Sequence, residues 1–291
     1  MDLDQFTRSH FADASAAYED AAYVIFGVPY DGTTSFRPGT RFGPRAIREL
    51  SFNFESYEPA AGIDLADVPL ADIGDIEPAR LPDLVALQVR EVVADLARDG
   101  KFPILLGGEH TVTIGAVEAL APDCFVVCDA HLDLRDELYE TPYSHGCVSR
   151  RVYDAGVTNI FIIGARSGCA EQYAFAGRVT LYTADEVRGR GITAILREIV
   201  AATAGKRTYL SIDADAVDCC ETPGVGTPEP FGISTYDLRE VVRTLAPQVV
   251  GFDYVEVCPI DAGQTAAVAA KLIREFIALR WKKEVVGGDQ T

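Results

Sequence analysis

Short apolar segments rich in β-branched residues recur along the chain, and most of them are apolar at nearly every position. A strand with one face in water alternates apolar and polar residues, so continuous runs are typical of strands covered on both faces. The runs are Tyr23–Pro29, Val68–Ile73, Phe102–Leu106, Cys124–Cys128, Ile160–Ile163, Val179–Tyr182, Thr208–Ile212 and Val249–Val257. This feature predicts a sheet that is buried on both sides.

Helical patterns lie between many of these runs, namely in Leu81–Arg98, Ile192–Ala204, Tyr236–Leu245 and Gln264–Trp281. Gly100 follows the first pattern as a C-terminal cap, and Ser234 and Thr235 precede the third as N-caps. Alternation of strand and helix predicts an α/β fold with a parallel sheet sandwiched between helices. The 291 residues contain no linker, low-complexity tract or repeat, so we expect a single domain over 1–291.

The overall charge and composition exclude several classes of protein. The formal net charge is −18, which repels nucleic acid and anionic membranes and mildly favours a cationic ligand. The apolar runs are shorter than the roughly 20 residues of a membrane span. The acidic start, Met1–Asp4, lacks the features of a signal peptide. The seven cysteines form no C-x-x-C pair, so we expect free thiols and a cytoplasmic location.

Three polar clusters follow apolar runs: Gly107–His110, Asp129–Asp133 and Asp213–Asp215. Ligands of open parallel sheets bind beyond the carboxyl ends of the strands, which share one rim. Glu256 lies late in another run and belongs to the same rim. Alternate residues of an extended chain point to one side. The pattern therefore aims Asp129, His131 and Asp133 at one point and Asp213 and Asp215 at another.

These side chains are those of a metal site. Three of the four histidines fall within or just after the clusters, whereas His10 is expected at the surface. One aspartate per loop would serve as a cap, but closely packed carboxylates repel one another and have raised pKa values unless cations bind them. Mixed imidazole and carboxylate sets suit Mn, Zn, Ni or Fe. Two such ions about 3.5–4 Å apart activate a water molecule for hydrolysis.

The chain resembles the ureohydrolases, the arginase/agmatinase family, and within it the prokaryotic agmatinases. The matching motifs are Ser35–Pro44, Gly107–His110, Asp129–Asp133, Ser144–Gly146, Ser211–Asp215 and Asp253–Glu256. The resemblance extends over most of the chain, from Gly27–Asp31 to Glu256–Pro259. It implies a three-layer α/β/α sandwich of the arginase/deacetylase type, with a mainly parallel, about eight-stranded sheet, assembled as trimers or hexamers.

The resemblance also implies roles for individual residues. It implies two Mn²⁺ ions per subunit, with Ni, Co or Zn as alternatives. One ion would take His110, Asp129, Asp133 and Asp213, and the other His131, Asp129, Asp213 and Asp215, so that Asp129 and Asp213 bridge. Glu256 would pair with a guanidinium group, for which a bidentate carboxylate is the natural partner. His145 would shuttle protons, and Asp133 would pass a proton to the leaving amine.

The chain departs from the family pattern at two positions. Glu109 stands where the motif often has Asp, and we expect it outside the ligand set. Cys219 and Cys220 follow Asp218 where a Pro is common, which leaves the local loop geometry open. Asp218 itself is expected to support this loop rather than bind metal.

The segment Leu134–Tyr143 should border the tail of a substrate. It contains three acidic residues, which disfavour a carboxylate and suit an amine, so we expect hydrolysis of agmatine to putrescine and urea. Arg135 leaves alternatives open, because it could hold the carboxylate of a guanidino acid or pair with a nearby acid. Guanidinobutyrate, guanidinopropionate and arginine are therefore alternative substrates.

Other classes of protein explain the clusters less well. A metallophosphoesterase would need an Asn-His pair, and neither Asn53 nor Asn159 precedes a His. A zinc deacetylase of related fold would need one metal, which leaves His110 and Asp133 unexplained. A metal-binding scaffold without activity is the remaining alternative.

Overall fold

A nine-stranded sheet forms the centre of the computed structural model, which describes residues 6–7 and 10–288. Its strands are β1 (Phe6–Thr7), β2 (Tyr23–Val28), β5 (Leu70–Ile76), β6 (Phe102–Gly107), β7 (Cys124–Cys128), β8 (Asn159–Ala165), β9 (Thr180–Thr183), β10 (Thr208–Asp213) and β11 (Val249–Val255). β3 (Tyr57–Glu58) and β4 (Ile63–Asp64) form a separate antiparallel pair. The sheet order is β1-β5-β2-β6-β11-β10-β7-β8-β9. Eight strands are parallel, and β1 adds an antiparallel edge beside β5.

Helices cover both faces of this sheet. They are α1 (Gly43–Ser51), α2 (Pro82–Arg98), α3 (Val112–Leu120), α4 (Val148–Asp154), α5 (Ala170–Phe175), α6 (Ala184–Arg190), α7 (Ile192–Thr203), α8 (Thr235–Leu245) and α9 (Gln264–Gly288). One apolar core joins the sheet to α1, α6, α7, α8 and α9. A second core on the other face joins it to α2, α3 and α4. The predicted three-layer sandwich is confirmed.

All eight predicted strands are present, and their observed ends differ from the predicted ends by at most a few residues. The predicted caps Gly100 and Ser234 are present, whereas Thr235 is the first residue of α8 and does not cap it. Gly100 has a φ of 72°, the left-handed conformation that follows a helix end, and Ser234 accepts a hydrogen bond from the Asp237 N–H in a capping box. The last helix runs on to Gly288, seven residues past the predicted end at Trp281.

The order of the strands explains why the polar clusters meet. β6, β11, β10 and β7 are consecutive neighbours in the middle of the sheet. Their carboxyl ends lead into His110, Glu256, Asp213 and Asp129 respectively. The four strand ends are parallel, so the expectation of a shared rim is confirmed for these positions.

All seven cysteines are free, as expected for thiols in a reducing compartment, and the cytoplasmic location stays a prediction. Within residues 6–7 and 10–288, no helix combines the length and the apolar character that crossing a bilayer requires.

Candidate metal centre

His110 reaches the centre of the rim because two glycines let the chain pass closely beneath β2. A Cβ atom at Gly108 would lie 2.0 Å from the carbonyl oxygen of Tyr30, so no other residue fits there without a backbone shift. The Gly108 N–H donates to Val28 O, and the Glu256 N–H donates to Gly108 O. The segment is thereby fixed between the ends of β2 and β11.

Three carboxylates surround the buried imidazole of His110. Its Nδ1 lies 3.3 Å from Asp129 Oδ2, 3.2 Å from Asp133 Oδ2 and 3.3 Å from Asp213 Oδ2. Nevertheless, His110 Nδ1 and Asp129 Oδ2 make no hydrogen bond of acceptable geometry among the described residues. Buried polar atoms of this kind are rare, and they require a partner.

A second group shares Asp129 with the first. His131 Nδ1 lies 3.1 Å from Asp215 Oδ2 and 3.6 Å from Asp129 Oδ1. The ligand atoms of His110, Asp129 and Asp133 lie within 4.8 Å of one another, and so do those of Asp129, His131 and Asp215. These two groups are therefore candidate metal sites that are joined by one carboxylate.

This grouping corrects the expectation from alternating positions. Each cluster is divided between the two groups instead of pointing to one place. The cause is local backbone geometry, because Asp133 has a φ of 49° and Asp215 lies in a 3-10 turn over Ala214–Ala216. Neither segment is a continuous strand, so a period of two does not apply to it.

Asp213 belongs more clearly to the first group than to the second. Its Oδ2 faces His110 Nδ1, whereas its Oδ1 accepts a hydrogen bond from the Asp215 N–H at 2.9 Å. The bridging role that the family resemblance implies for Asp213 stays a prediction.

The site concentrates negative charge in a buried volume. Burial and the nearby charge of Asp129 raise the pKa of Asp133 to about 6. Burial and the charge of Asp215 raise the pKa of Asp213 well above its usual range. Burial lowers the pKa of His110, but the three carboxylates outweigh it and raise the pKa well above the usual value. Carboxylates that are this costly to ionise together are a binding site for cations.

The donor set therefore fits divalent metal ions. His110, Asp129, Asp133 and Asp213 could hold one ion, and Asp129, His131 and Asp215 another. The unpartnered His110 Nδ1 and Asp129 Oδ2 are aimed at the same place. Imidazole nitrogen with carboxylate oxygen suits Mn²⁺ and its neighbours in the first transition series.

Residues behind the metal groups hold them in place. The far ring nitrogen of His110, Nε2, lies 3.0 Å from Ser211 Oγ, which donates to Asp253 Oδ1 at 2.5 Å. Tyr209 and Thr113 donate to the other oxygen of Asp253. Asp253 is fully buried, and burial raises its pKa. The motif contained Asp253, but only the register of the strands links it to His110.

Glu256 directly follows β11 and is buried. Its Oε1 accepts a hydrogen bond from the His110 N–H at 2.8 Å, and its backbone adopts a φ of 62°. Burial and the charge of Glu109 raise its pKa well above the usual range. A non-glycine residue in this conformation is uncommon and is found at functional sites.

A cavity of about 360 Å³ opens above the two groups. His131, Asp133 and His145 contribute to its lining. Arg135, Leu138 and Tyr139 line it as well, together with Ser35, Gly146, Ser167, Gly168, Cys169, Gln172 and Thr227. Its size is that of a small-molecule site.

The structure contradicts one of the two roles expected for Arg135, that of pairing with a nearby acid. The described residues provide no carboxylate within ion-pair distance of it, and the adjacent Asp136 pairs with Arg150 and Arg151 instead. The Arg135 guanidinium is therefore a cationic group in the wall of the cavity.

His145 lies in the cavity between hydroxyl groups that the sequence did not reveal. Its Nδ1 lies 3.1 Å from Thr33 Oγ1 and 3.3 Å from Ser144 Oγ, and its Nε2 lies 3.2 Å from Ser35 Oγ. Burial and the positive charges of His131 and His110 lower its pKa to about 4. The imidazole is therefore neutral at physiological pH.

The remaining predicted residues take supporting positions. Glu109 lies outside both candidate metal groups, as expected, but its buried carboxylate accepts hydrogen bonds from Thr33 and Thr111. Asp218 accepts from the N–H groups of Cys220 and Gly232, so it supports its loop as expected. His10 is exposed.

Comparisons with known proteins agree with this fold. The model of the Arginase family matches residues 21–278. The chain is 42% identical to the N(1)-aminopropylagmatine ureohydrolase of Thermococcus kodakarensis, over 88% of this chain and 89% of that protein. It is 37% identical to the agmatinase of Pyrococcus horikoshii, over 90% of this chain and 93% of that protein.

A solved structure resembles the whole molecule. The agmatine ureohydrolase of Thermoplasma volcanium superposes with a TM-score of 0.91 at 41% identity, and the match covers 97% of both chains. The family match, the relatives and the two joined imidazole–carboxylate groups lead to one conclusion. The chain belongs to the arginase family and is an enzyme of the ureohydrolase type, which hydrolyses C–N bonds of linear amidines.

Proposed function

We propose that this enzyme hydrolyses the guanidino group of agmatine and releases putrescine, a polyamine, and urea. The observation that carries the proposal is the pair of imidazole–carboxylate groups that share Asp129 below an open cavity. Relatives named agmatinase support the choice of agmatine.

We propose two Mn²⁺ ions per subunit as cofactors, with Ni, Co or Zn as alternatives. His110, Asp129, Asp133 and Asp213 would hold one ion, and His131, Asp129, Asp213 and Asp215 the other. His110 Nδ1 and Asp129 Oδ2, two buried atoms with no hydrogen-bond partner among the described residues, support this assignment. When bound, the ions would supply the nucleophile by lowering the pKa of water.

The chain's own residues orient the substrate and move protons. Glu256 would pair with the planar guanidinium, which neutralises a buried carboxylate that is costly to ionise alone. His145 is neutral near pH 7 and would accept and return a proton at the cavity wall. Asp133, which lines the cavity, would pass a proton to the leaving amine.

Two specific observations favour further substrates. The 42% identical relative is named for N(1)-aminopropylagmatine, an agmatine with a longer tail. Arg135, which has no ion-pair partner among the described residues, would hold the carboxylate of a guanidino acid such as 4-guanidinobutyrate. Agmatine remains the first choice, since several agmatinases are among the relatives.

Urea release with added manganese tests the proposal. Agmatine, N(1)-aminopropylagmatine, 4-guanidinobutyrate, guanidinopropionate and arginine are compared under identical conditions. We expect the highest kcat/KM for agmatine. Asp129→Asn should abolish urea release, whereas Asp154→Asn, an exposed carboxylate on α4, should retain it. Full activity of Asp129→Asn, or no urea from any substrate by the metal-loaded enzyme, would overturn the proposal.

We also propose that the enzyme is a homo-oligomer, a trimer or a hexamer, as the family resemblance implies. Light scattering during size-exclusion chromatography gives the number of subunits and would exclude this proposal if only a monomer of 31.4 kDa elutes.

A further inference from the structure

Glu109 is the one ionisable residue of the three clusters that has no part in the proposed metal sites. Its carboxylate is fully buried and serves four donors. Oε2 accepts from the Thr33 N–H at 2.8 Å and from Thr34 Oγ1 at 3.5 Å. Oε1 accepts from Thr33 Oγ1 at 2.6 Å and from Thr111 Oγ1 at 2.8 Å. Glu109 therefore binds the loop that follows β2, and Thr33 of this loop contacts His145.

Thr33 connects this carboxylate to the catalytic imidazole. A threonine hydroxyl has one hydrogen to donate and two lone pairs to accept with. The hydrogen of Thr33 is used on Glu109 Oε1. One lone pair accepts from the His145 N–H at 3.1 Å, and the other faces His145 Nδ1, also at 3.1 Å. Thr33 can therefore only accept from Nδ1, and this contact favours the tautomer that carries the hydrogen on Nδ1.

We propose that Glu109, acting through Thr33, is a positioning residue that fixes the tautomer of His145, with the proton on Nδ1 and a free lone pair on Nε2. Nε2 lies on the side of Ser35, which lines the cavity, and Ser35 Oγ is 3.2 Å away as a donor. Ser144 Oγ, 3.3 Å from Nδ1, accepts from the Gly146 N–H and can share the same hydrogen. The neutral ring is thus held with its basic nitrogen toward the substrate space.

This arrangement has a consequence for proton transfer, and it rests on the proposed role of His145 as proton carrier. When Nε2 accepts a proton, the ring becomes a cation whose Nδ1–H still points to Thr33. The hydrogen bonds then run from Nδ1 through Thr33 to the carboxylate of Glu109, whose negative charge stabilises the cation. A protonated Glu109 that donates to Thr33 Oγ1 would reverse the bonds of this hydroxyl with Glu109 and with Nδ1, and would place the hydrogen of His145 on Nε2. The two arrangements are therefore distinguishable by the tautomer alone.

Nitrogen NMR of histidine-labelled protein measures the tautomer without any assay of activity. The chain has only four histidines, so the ring signals can be assigned with single variants. Zinc-loaded enzyme avoids the line broadening that manganese causes. We expect His145 to be protonated at Nδ1 in the parent enzyme. In Glu109→Gln the carboxamide can donate to Thr33, which then donates to Nδ1, so the proton should move to Nε2.

Matched variants separate positioning from simple packing. Thr33→Val should lose the single tautomer, and Thr33→Ser should restore it. Thr111→Val removes another hydrogen bond to the same carboxylate oxygen without touching His145, so it should keep the Nδ1–H tautomer. In manganese-loaded enzyme, Glu109→Gln should lower kcat by about 100-fold with unchanged metal content, the scale of a lost acid–base group.

The outcomes are decisive in either direction. A parent enzyme protonated at Nε2, or an unchanged Nδ1–H tautomer in either Glu109→Gln or Thr33→Val, would overturn the inference. If the tautomer behaves as expected but no guanidino compound is hydrolysed, the proposed function fails while the positioning role of Glu109 stands.

Discussion

Asp129 is the residue on which the two candidate metal groups depend. Its Oδ1 accepts a hydrogen bond from the His131 N–H at 2.6 Å, while Oδ2 is left without a hydrogen-bond partner beside His110. The backbone of the next residues thus fixes the rotamer of the shared carboxylate before any ion binds. Ligands held in this way need little reorganisation on metal binding, which is the general role of residues around a metal site.

Glu256→Gln should lower kcat/KM for agmatine by about 10- to 100-fold, the value of one hydrogen bond to a charged group. The glutamine oxygen can still accept from the His110 N–H, so the bound metal should not change. Steady-state kinetics and metal analysis check this prediction. Glu275→Gln serves as the control, because Glu275 is an equally buried carboxylate that pairs with Arg239 and Arg243 away from the site. If both variants lose activity equally, the loss reflects burial of a carboxamide rather than recognition of the guanidinium.

Single residues of the site were predictable from the sequence where they cluster along the chain. Their spacing and residue types identify Asp129, His131 and Asp133 as candidate ligands. Thr33 and Ser211 do not, because their partners are distant in sequence and hydroxyl residues are common. Thr33 lies 112 positions from His145, and only the fold brings the two together. The charge balance of the segment Leu134–Tyr143 likewise did not reveal that Arg135 would be left without an ion-pair partner among the described residues.

The end of β8 organises the second metal group, although it contributes no ligand. Its register shifts between Ile163 and Ala165, where Gly164 has a φ of 98°. Beyond this irregularity, the N–H groups of Arg166 and Ser167 both donate to Ala130 O, between Asp129 and His131. The strand end therefore holds the loop that follows β7.

The side chain of Arg166 holds the loop that follows β10. Its guanidinium donates to the carbonyl oxygens of Asp215, Ala216 and Val217, and also to those of Gly164, Glu229 and Pro230. The backbone of Arg166 thus fixes the loop that contains His131, and the side chain of Arg166 fixes the loop that contains Asp215. These are the two candidate ligands that the second group does not share with the first.

Arg166→Lys should therefore weaken binding of one of the two ions by about 10- to 100-fold, the usual cost of losing support for a ligand. A lysine ammonium has three donors on a flexible stem and cannot bridge these carbonyls. Metal content after dialysis should fall from about two ions to about one per chain. Isothermal titration with Mn²⁺ gives the affinity of the site that is lost.

Arg280→Lys is the matched control for Arg166→Lys. Arg280 also donates to backbone carbonyls, those of Ala246 and Val249, but at the start of β11, away from the catalytic rim. We expect it to lower thermal stability and leave metal binding intact. Two tightly bound ions in Arg166→Lys would contradict the role assigned to Arg166.

The elements were predictable where their pattern was strong. All eight apolar runs form strands, because short runs rich in β-branched residues are typical of buried parallel strands. Helix α3 was not predicted, because nearly all its residues are buried and it lacks a polar face that would give a helical period. Helices α4, α5 and α6 have six or seven residues, too few to establish a period. The single-domain interpretation stays a prediction.

The net charge of the whole molecule should affect how fast a cationic substrate arrives. With a net charge of −18, the protein attracts agmatine over distances that salt screens. We expect kcat/KM for agmatine to fall by up to about tenfold between about 0.01 and 1 M NaCl, with kcat nearly constant. Zwitterionic 4-guanidinobutyrate serves as the comparison and should respond much less. An equal response of both substrates would assign the salt effect to the enzyme's stability or metal content rather than to steering.

Removal of the metal should change how the stability of the whole fold depends on pH. Several buried groups of the site have raised pKa values in the metal-free chain: Asp133 at about 6, and Asp213, Glu256, His110 and His131 well above their usual values. Each group binds more protons when the chain is folded than when it is unfolded. Its contribution to the free energy of unfolding therefore falls as pH rises from its unfolded pKa to its folded pKa. His145, with a pKa lowered to about 4, has the opposite effect, but only below its unfolded pKa of about 6.5. The metal-free enzyme should therefore be less stable at about pH 8 than at about pH 6.5.

Thermal unfolding of EDTA-treated and manganese-loaded enzyme at several pH values measures this effect. One unit of pKa shift corresponds to about 1.4 kcal/mol, and each kcal/mol moves Tm by about 2–4 °C, so the metal-free Tm should fall by at least about 3 °C between about pH 6.5 and 8. In the loaded enzyme the carboxylates are ligands and already ionised, so its Tm should be higher and nearly constant over the same range. A metal-free Tm that rises with pH would mean that these carboxylates are not held together without metal, and the site would then assemble only on metal binding.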